Sequence, residues 1–157
     1  MRKLVLLAGV SFVAAIPAAW SQAPAPAADP AAAVEKRQAT MKQQGQSLAP
    51  IKKFTDGSGS REDAERAATQ LVALTRSVPT LFPAGTSSAD LPGKTRAKPA
   101  IWTERPKFEE TAQSLAPQAE KLLAAVKTDD RAATAQQFQA VGRVCGACHD
   151  AFREPER

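Results

Sequence analysis

Residues 141–153 read Val141-Gly142-Arg143-Val144-Cys145-Gly146-Ala147-Cys148-His149-Asp150-Ala151-Phe152-Arg153. Phe138, Val141, Val144 and Phe152 fall at helical spacing, which predicts a helix through the stretch. At roughly 100° per residue, Cys145, Cys148 and His149 then share about one 100° arc of its surface. Two thiols on one arc can form thioethers with both vinyl groups of a single porphyrin. The histidine that follows can offer an imidazole nitrogen to the iron. C-x-x-C-H is the attachment sequence of c-type haem, and the arc gives a physical reason for its spacing.

The same residues fit other uses less well. A structural zinc site takes four Cys or His ligands, whereas the whole chain has two Cys and one His. A thioredoxin-like redox pair needs a strand–turn–helix setting, and no strand pattern precedes Cys145. A plain disulfide between Cys145 and Cys148 stays open, but it gives the adjacent His149 no task.

The N-terminus is read as a targeting segment. Arg2 and Lys3 form a positive start, Leu4 to Ala19 is apolar, and Ser21-Gln22-Ala23 ends at small-residue spacing. Cleavage is placed after Ala23, with Ser21 and Ala27 as alternatives because Pro24 would follow the cut. The uncharged run from Leu4 to Ala23 is near bilayer-spanning length, so an uncleaved anchor is the competing reading. The expected organisation is a signal peptide over 1–23 and one periplasmic domain over 24–157. Export also agrees with haem attachment, which takes place outside the bacterial inner membrane.

Removing residues 1–23 from the 157 leaves 134, the size of one domain. The 21 basic side chains fall to 19 without Arg2 and Lys3, against 16 acidic ones, a net charge of +3. Haem propionates would offset much of that excess. Residues 24–157 also hold one Trp and no Tyr, too few aromatics for a base-stacking platform. No nucleic-acid partner is expected, and no membrane contact once the signal is removed.

Four amphipathic helices are predicted. Asp29-Pro30 can cap and open the first. Its stripe is Val34, Met41 and Leu48, with Gln38, Gly45 and Ile51 between, and Pro50 should kink or end it. Ser60 with Asp63 resembles a capping box for a second helix on Ala64, Ala67, Leu71, Leu74 and Val78, stopped at Pro79. Residues 80–100 form a long Pro- and Gly-containing connection in which Lys94, Arg96 and Lys98 read as solvated charges. Helix three runs from about Thr103 to Lys127 on Phe108, Ala112, Leu115, Ala119, Leu122 and Val126, with a bend at Pro117. Asp129 and Asp130 cap a fourth helix carrying Phe138, Val141, Cys145, Cys148 and Phe152. No segment reads as a strand. The expected fold is an all-α, antiparallel four-helix bundle with one covalently bound haem c.

At this point the chain resembles the class II cytochromes c, the cytochrome c′ family. C-x-x-C-H near the end of the chain, followed by x-x-Phe152-Arg153, carries the resemblance. Leu81-Phe82-Pro83-Ala84-Gly85-Thr86, Ala100-Ile101-Trp102 and Arg37-Gln38-Ala39-Thr40-Met41 add to it. The resemblance implies that Cys145 and Cys148 hold the haem and that His149 is the proximal ligand. It implies further that Arg153 lies beside that imidazole and that Arg37 and Gln38 meet the propionates. Trp102 and Phe82 are read as packing. In low-spin members a helix-one Met binds the iron; in high-spin members an apolar side chain blocks the open position. Met41 stands at that place.

The function expected is a periplasmic electron carrier with His149 and Met41 on the iron. The low-spin members resemble the chain somewhat more closely, although Arg37 departs from some of them. The alternative is a five-coordinate protein that binds nitric oxide or carbon monoxide. An enzyme such as a peroxidase has the least support, because residues 24–157 lack a second His to serve as a distal acid–base group. Partners implied are redox proteins of unspecified identity and, since many members pair, a homodimer.

Overall fold

The computed structural model describes residues 29–156. The signal peptide expected over 1–23 lies outside them.

Helix α1 (Pro30–Thr55) begins where the Asp29 carboxylate accepts from the Ala31 amide at 2.9 Å and Pro30 presets the first turn. It does not stop or break at Pro50. The carbonyl that Pro50 leaves without an amide belongs to Gln46, which is exposed and can bond water. Ile51 and Phe54, both fully buried, fix the last turn to the core. The inward face is also rotated from the predicted stripe: Arg37, Gln44 and Ser47 are buried, while Gln38 and Gly45 are exposed.

Helix α2 (Arg61–Ser77) starts at Ser60, whose hydroxyl oxygen accepts from the Asp63 amide at 3.1 Å. The Asp63 carboxylate in turn accepts from that hydroxyl at 2.8 Å, a shortened version of a capping box. The turn before it closes tightly on α1. A Cβ at Gly59 would stand 2.8 Å from Lys53 Cβ and 2.9 Å from the Phe54 amide nitrogen, so the position requires glycine. A 3-10 turn (Val78–Leu81) follows α2.

A single helical turn, α3 (Ala100–Thr103), precedes the predicted third helix, which is two pieces: α4 (Arg105–Gln113) and α5 (Leu115–Lys127). The break lies at Ser114, one turn before Pro117, because Pro117 has no amide for the Gln113 carbonyl and its ring crowds it. All six residues of the predicted stripe, Phe108 through Val126, are nevertheless buried. Helix α6 (Arg131–Phe152) is capped by Asp130, which accepts from the Ala133 amide at 2.9 Å.

α1 packs on α2, α2 on α5 and α5 on α6, with a sparser contact between α1 and α6. Two short turns and one long connection give the four-helix bundle. One apolar cluster joins Ile51, Phe54, Leu71, Leu122, Val126 and Val141. A second joins Val78, Ile101, Phe108, Ala112 and Phe152. The connection before α3 is a built wall. Its Thr86, Ser87, Thr95 and Ala97 are buried. An isolated antiparallel bridge ties Ala97 to Arg153, the only strand-like pairing among the described residues. Lys98 N donates to Phe152 O at 3.0 Å and Glu154 N to Arg96 O at 2.8 Å. No helix of the described residues is long and apolar enough to cross a membrane.

Candidate functional site

Between the two apolar clusters lies a cavity of about 1150 Å³, bounded by α1, the connection and α6. It exceeds the roughly 300–1,000 Å³ of ordinary ligand clefts. Cys145, Cys148, His149 and Arg153 border it from the C-terminal side; Arg37, Gln38 and Met41 border it from α1. All seven residues singled out in the sequence therefore meet at one cavity.

The two cysteines straddle the cavity's apolar walls. Cys145 packs on the first cluster and Cys148 on the second. Both are free and half-buried. Burial pushes both thiols up, and the Cys145 neighbour raises Cys148 further, to about 11. A redox-active pair needs a thiol lowered toward neutrality, so these sulfurs are poor redox groups and well placed for carbon–sulfur links.

His149 is half-buried. Burial is the main force holding its pKa below the ordinary value; the Arg153 charge adds to it, Asp150 opposes, and Arg96 adds a smaller push. The neutral imidazole, the form that binds metal, is favoured. Arg153 does not continue the helix as the sequence implies. It is the extended residue that ends α6 (φ −119°, ψ 132°), with its amide donating to His149 O at 2.9 Å.

Arg37 has a structural duty that the sequence does not reveal. It is 4% exposed. Its Nη1 donates to Thr86 Oγ1 at 3.0 Å, and its Nη2 donates to Thr86 O at 3.0 Å and Thr95 Oγ1 at 2.7 Å. The guanidinium also lies 4.7 Å from the centroid of the Phe82 ring. Three of its five N–H groups are thus engaged, leaving two for a further acceptor. Gln38 Nε2 donates to Lys94 O at 2.8 Å. Met41 is half-buried against the second cluster.

Several wall residues escape the sequence reading. Phe82, read as packing, also borders the cavity while stacking edge-on to Phe108 at 4.7 Å. The basic cluster of the connection is not uniformly solvated. Lys98 Nζ donates to the Asp150 and Ala151 carbonyls at 2.9 and 3.4 Å, closing the end of α6. Arg96 pairs with Glu156 at 2.9 Å through Nη2. Its Nη1 is buried without a hydrogen-bond partner among the described residues.

The family model described as Cytochrome C' matches residues 32–153. The chain belongs to the cytochrome c′ family. It is 33% identical over 122 residues to a cytochrome c-556 of Agrobacterium tumefaciens (strain II Chrys), covering 76% of this chain and 95% of that one. It is 32% identical over 148 residues to the cytochrome c′ of Rhodospirillum rubrum, covering 90% and 95%. A solved cytochrome c′ from Rhodobacter Spheriodes superposes with a TM-score of 0.75 at 29% identity, covering 82% of this chain and all of that one.

Cytochromes c′ are haem electron-transfer proteins, and haem c is the cofactor here. The cavity suits such a group. Its walls are apolar clusters that can sandwich a flat macrocycle. Spare N–H groups on Arg37 and the undischarged Arg96 Nη1 suit carboxylates at its border. Gly45 leaves the α1 wall open, since a Cβ there would meet nothing within 4 Å.

Proposed function

We propose that this cytochrome c′ is a periplasmic electron-transfer protein whose iron keeps an open sixth position able to take up nitric oxide or carbon monoxide. When bound, the haem supplies the ferrous–ferric couple and the coordination site. Cys145 and Cys148 would hold it covalently, so that it cannot be lost outside the inner membrane. His149, kept neutral by burial and by Arg153, would present its nitrogen to the iron. Arg37, Gln38 and Arg153 would face its carboxylates and its proximal side. Met41 would stand on the opposite wall as a soft apolar plug.

The observation that carries this reading is the cavity shared by His149 and Met41, taken with relatives named cytochrome c′. A variant of the cytochrome c prime from Alcaligenes xylosoxidans, 25% identical with a TM-score of 0.73, is solved as a nitric oxide complex. Pairing of two copies belongs to the same reading. One solved cytochrome c′, 26% identical with a TM-score of 0.76, shows ligand-controlled dimer dissociation.

A second reading puts the Met41 sulfur on the iron as a permanent ligand, giving a low-spin carrier. It is favoured by Met41 being the single Met, and His149 the single His, in residues 24–157. Relatives named cytochrome c-556 also favour it. Absorption spectra separate the two. The open-position reading expects a high-spin spectrum at neutral pH that Met41→Ala leaves high-spin. A split low-spin spectrum with a near-infrared iron–sulfur band, turned high-spin by Met41→Ala, would establish ligation instead.

A further inference from the structure

Gln44 is the one side chain on the buried face of α1 that borders the cavity with most of its hydrogen-bonding capacity unspent. It lies one turn after Met41 and is 8% exposed. Its Nε2 donates to the Leu74 carbonyl of α2 over 3.4 Å, at the long limit of a hydrogen bond. An amide has two N–H donors and a two-lone-pair carbonyl. Beyond that single bond, no other group among the described residues engages them. Arg37, the other buried polar residue of this wall, is by contrast tied by three bonds to the connection.

The surroundings of Gln44 are apolar or bare. Met41, Leu48 and Leu71 border the same cavity. Gly45 adds no side chain, and a Cβ there would meet nothing within 4 Å. A leucine or methionine at 44 would fill this wall with no desolvation cost, whereas the amide, open to the cavity as it stands, would be left half-bonded and unfavourable once a macrocycle filled that space. The polar choice is explained if the cavity brings the amide a partner. The macrocycle is apolar except for its carboxylates, and cationic donors already border the cavity for those. A small polar molecule entering on the Met41 side is the remaining partner.

We propose that the Gln44 amide donates a hydrogen bond to a diatomic ligand held on the Met41 side of the haem, making Gln44 a specificity-determining residue that favours nitric oxide over carbon monoxide. The role rests on the open sixth position proposed above. Distal hydrogen-bond donors and pocket polarity are what a protein uses to choose among such ligands. A bent, polar nitric oxide adduct gains more from a donor than a linear carbon monoxide adduct does.

The test uses the full-length holoprotein with carbon monoxide and nitric oxide as probes. The infrared C–O stretch of the ferrous carbon monoxide complex reads the field at the ligand and does not respond to stability. In the wild type it is expected at a lowered frequency that moves slightly in D2O. Gln44→Leu should raise the band and abolish the D2O response. Nitric oxide should leave Gln44→Leu roughly 3–10-fold faster, the loss of one hydrogen bond, with a smaller change for carbon monoxide. Gln44→Met, which keeps the length of the side chain, should give the same band as Gln44→Leu and decides the matter if the leucine variant does not fold. A band at the same frequency in wild type and variant overturns the Gln44 role alone. A holoprotein that takes up neither gas overturns the open-position reading and the Gln44 role with it.

Discussion

The two apolar clusters of this bundle are built differently. The first, around Ile51, Phe54, Leu122, Val126 and Val141, consists of fully buried aliphatic and aromatic side chains on four helices. Its centre is closed, and it meets the cavity only through Leu71, Leu115, Val141 and the partly buried side chains packed on them. The second, around Ile101, Phe108 and Phe152, is joined to a connection held in place by buried polar groups. Arg37 reaches from α1 to Thr86 and Thr95, and an isolated bridge fastens Ala97 to the end of α6. The cavity lies between them. One end of the molecule is a core; the other is a frame shaped around a guest. Stability should therefore depend most on the closed centre of the first cluster, and spectroscopic properties on the residues that border the cavity.

The largest effect on stability should come from the closed centre of the first cluster. Leu122 is fully buried at the centre of the α5 stripe. Leu122→Ala should cost about 2–5 kcal/mol in denaturant unfolding of the holoprotein, while leaving the haem spectrum of the folded protein unchanged. A spectral change at constant fold would mean that the two clusters are not separable.

Arg37→Met probes the frame. It removes three hydrogen bonds and takes the Arg37 donor from the Thr86 carbonyl, while the Thr86 and Thr95 hydroxyls keep Pro83 O and Ala97 N as partners. The expected loss is about 1–3 kcal/mol, smaller than for Leu122→Ala, but accompanied by a shifted haem spectrum and faster backbone exchange over residues 86–95. An unshifted spectrum would make Arg37 a fastening for the connection with no bearing on the haem.

The smallest effect is expected at the edge of the frame. Lys98 satisfies two carbonyls at the end of α6. Lys98→Met should cost about 0.3–1 kcal/mol and shift neither the spectrum nor the haem content. A loss as large as that of Arg37→Met would show that the α6 terminus is a principal support of the frame.

The two clusters also differ in how far they can be read from sequence. The stripe on α4 and α5 is legible although the bend expected at Pro117 is a full break at Ser114, because burial there depends on apolar spacing, which Pro117 does not alter. The meeting of Cys145, Cys148 and His149 at one cavity is legible because the three are neighbours in the chain. The α1 face is not. Its buried Arg37 and Gln44 are polar, and what licenses Arg37's burial lies 49 and 58 residues away, at Thr86 and Thr95. The connection is opaque for the same reason. Nothing local separates Arg96, whose Nη1 is buried, or Lys98, which closes a helix end, from the exposed Lys94. Polar groups find partners through tertiary structure, and periodicity carries no record of them.

The central claim is that the frame holds a haem linked to Cys145 and Cys148. Acid–acetone extraction of the denatured wild-type holoprotein, followed by mass spectrometry of the peptide spanning Cys145 to His149, tests it directly. The haem is expected to stay with the protein, and this peptide to carry one haem through two thioethers. Haem recovered in the extract, with both cysteines free or joined as a disulfide, would contradict it.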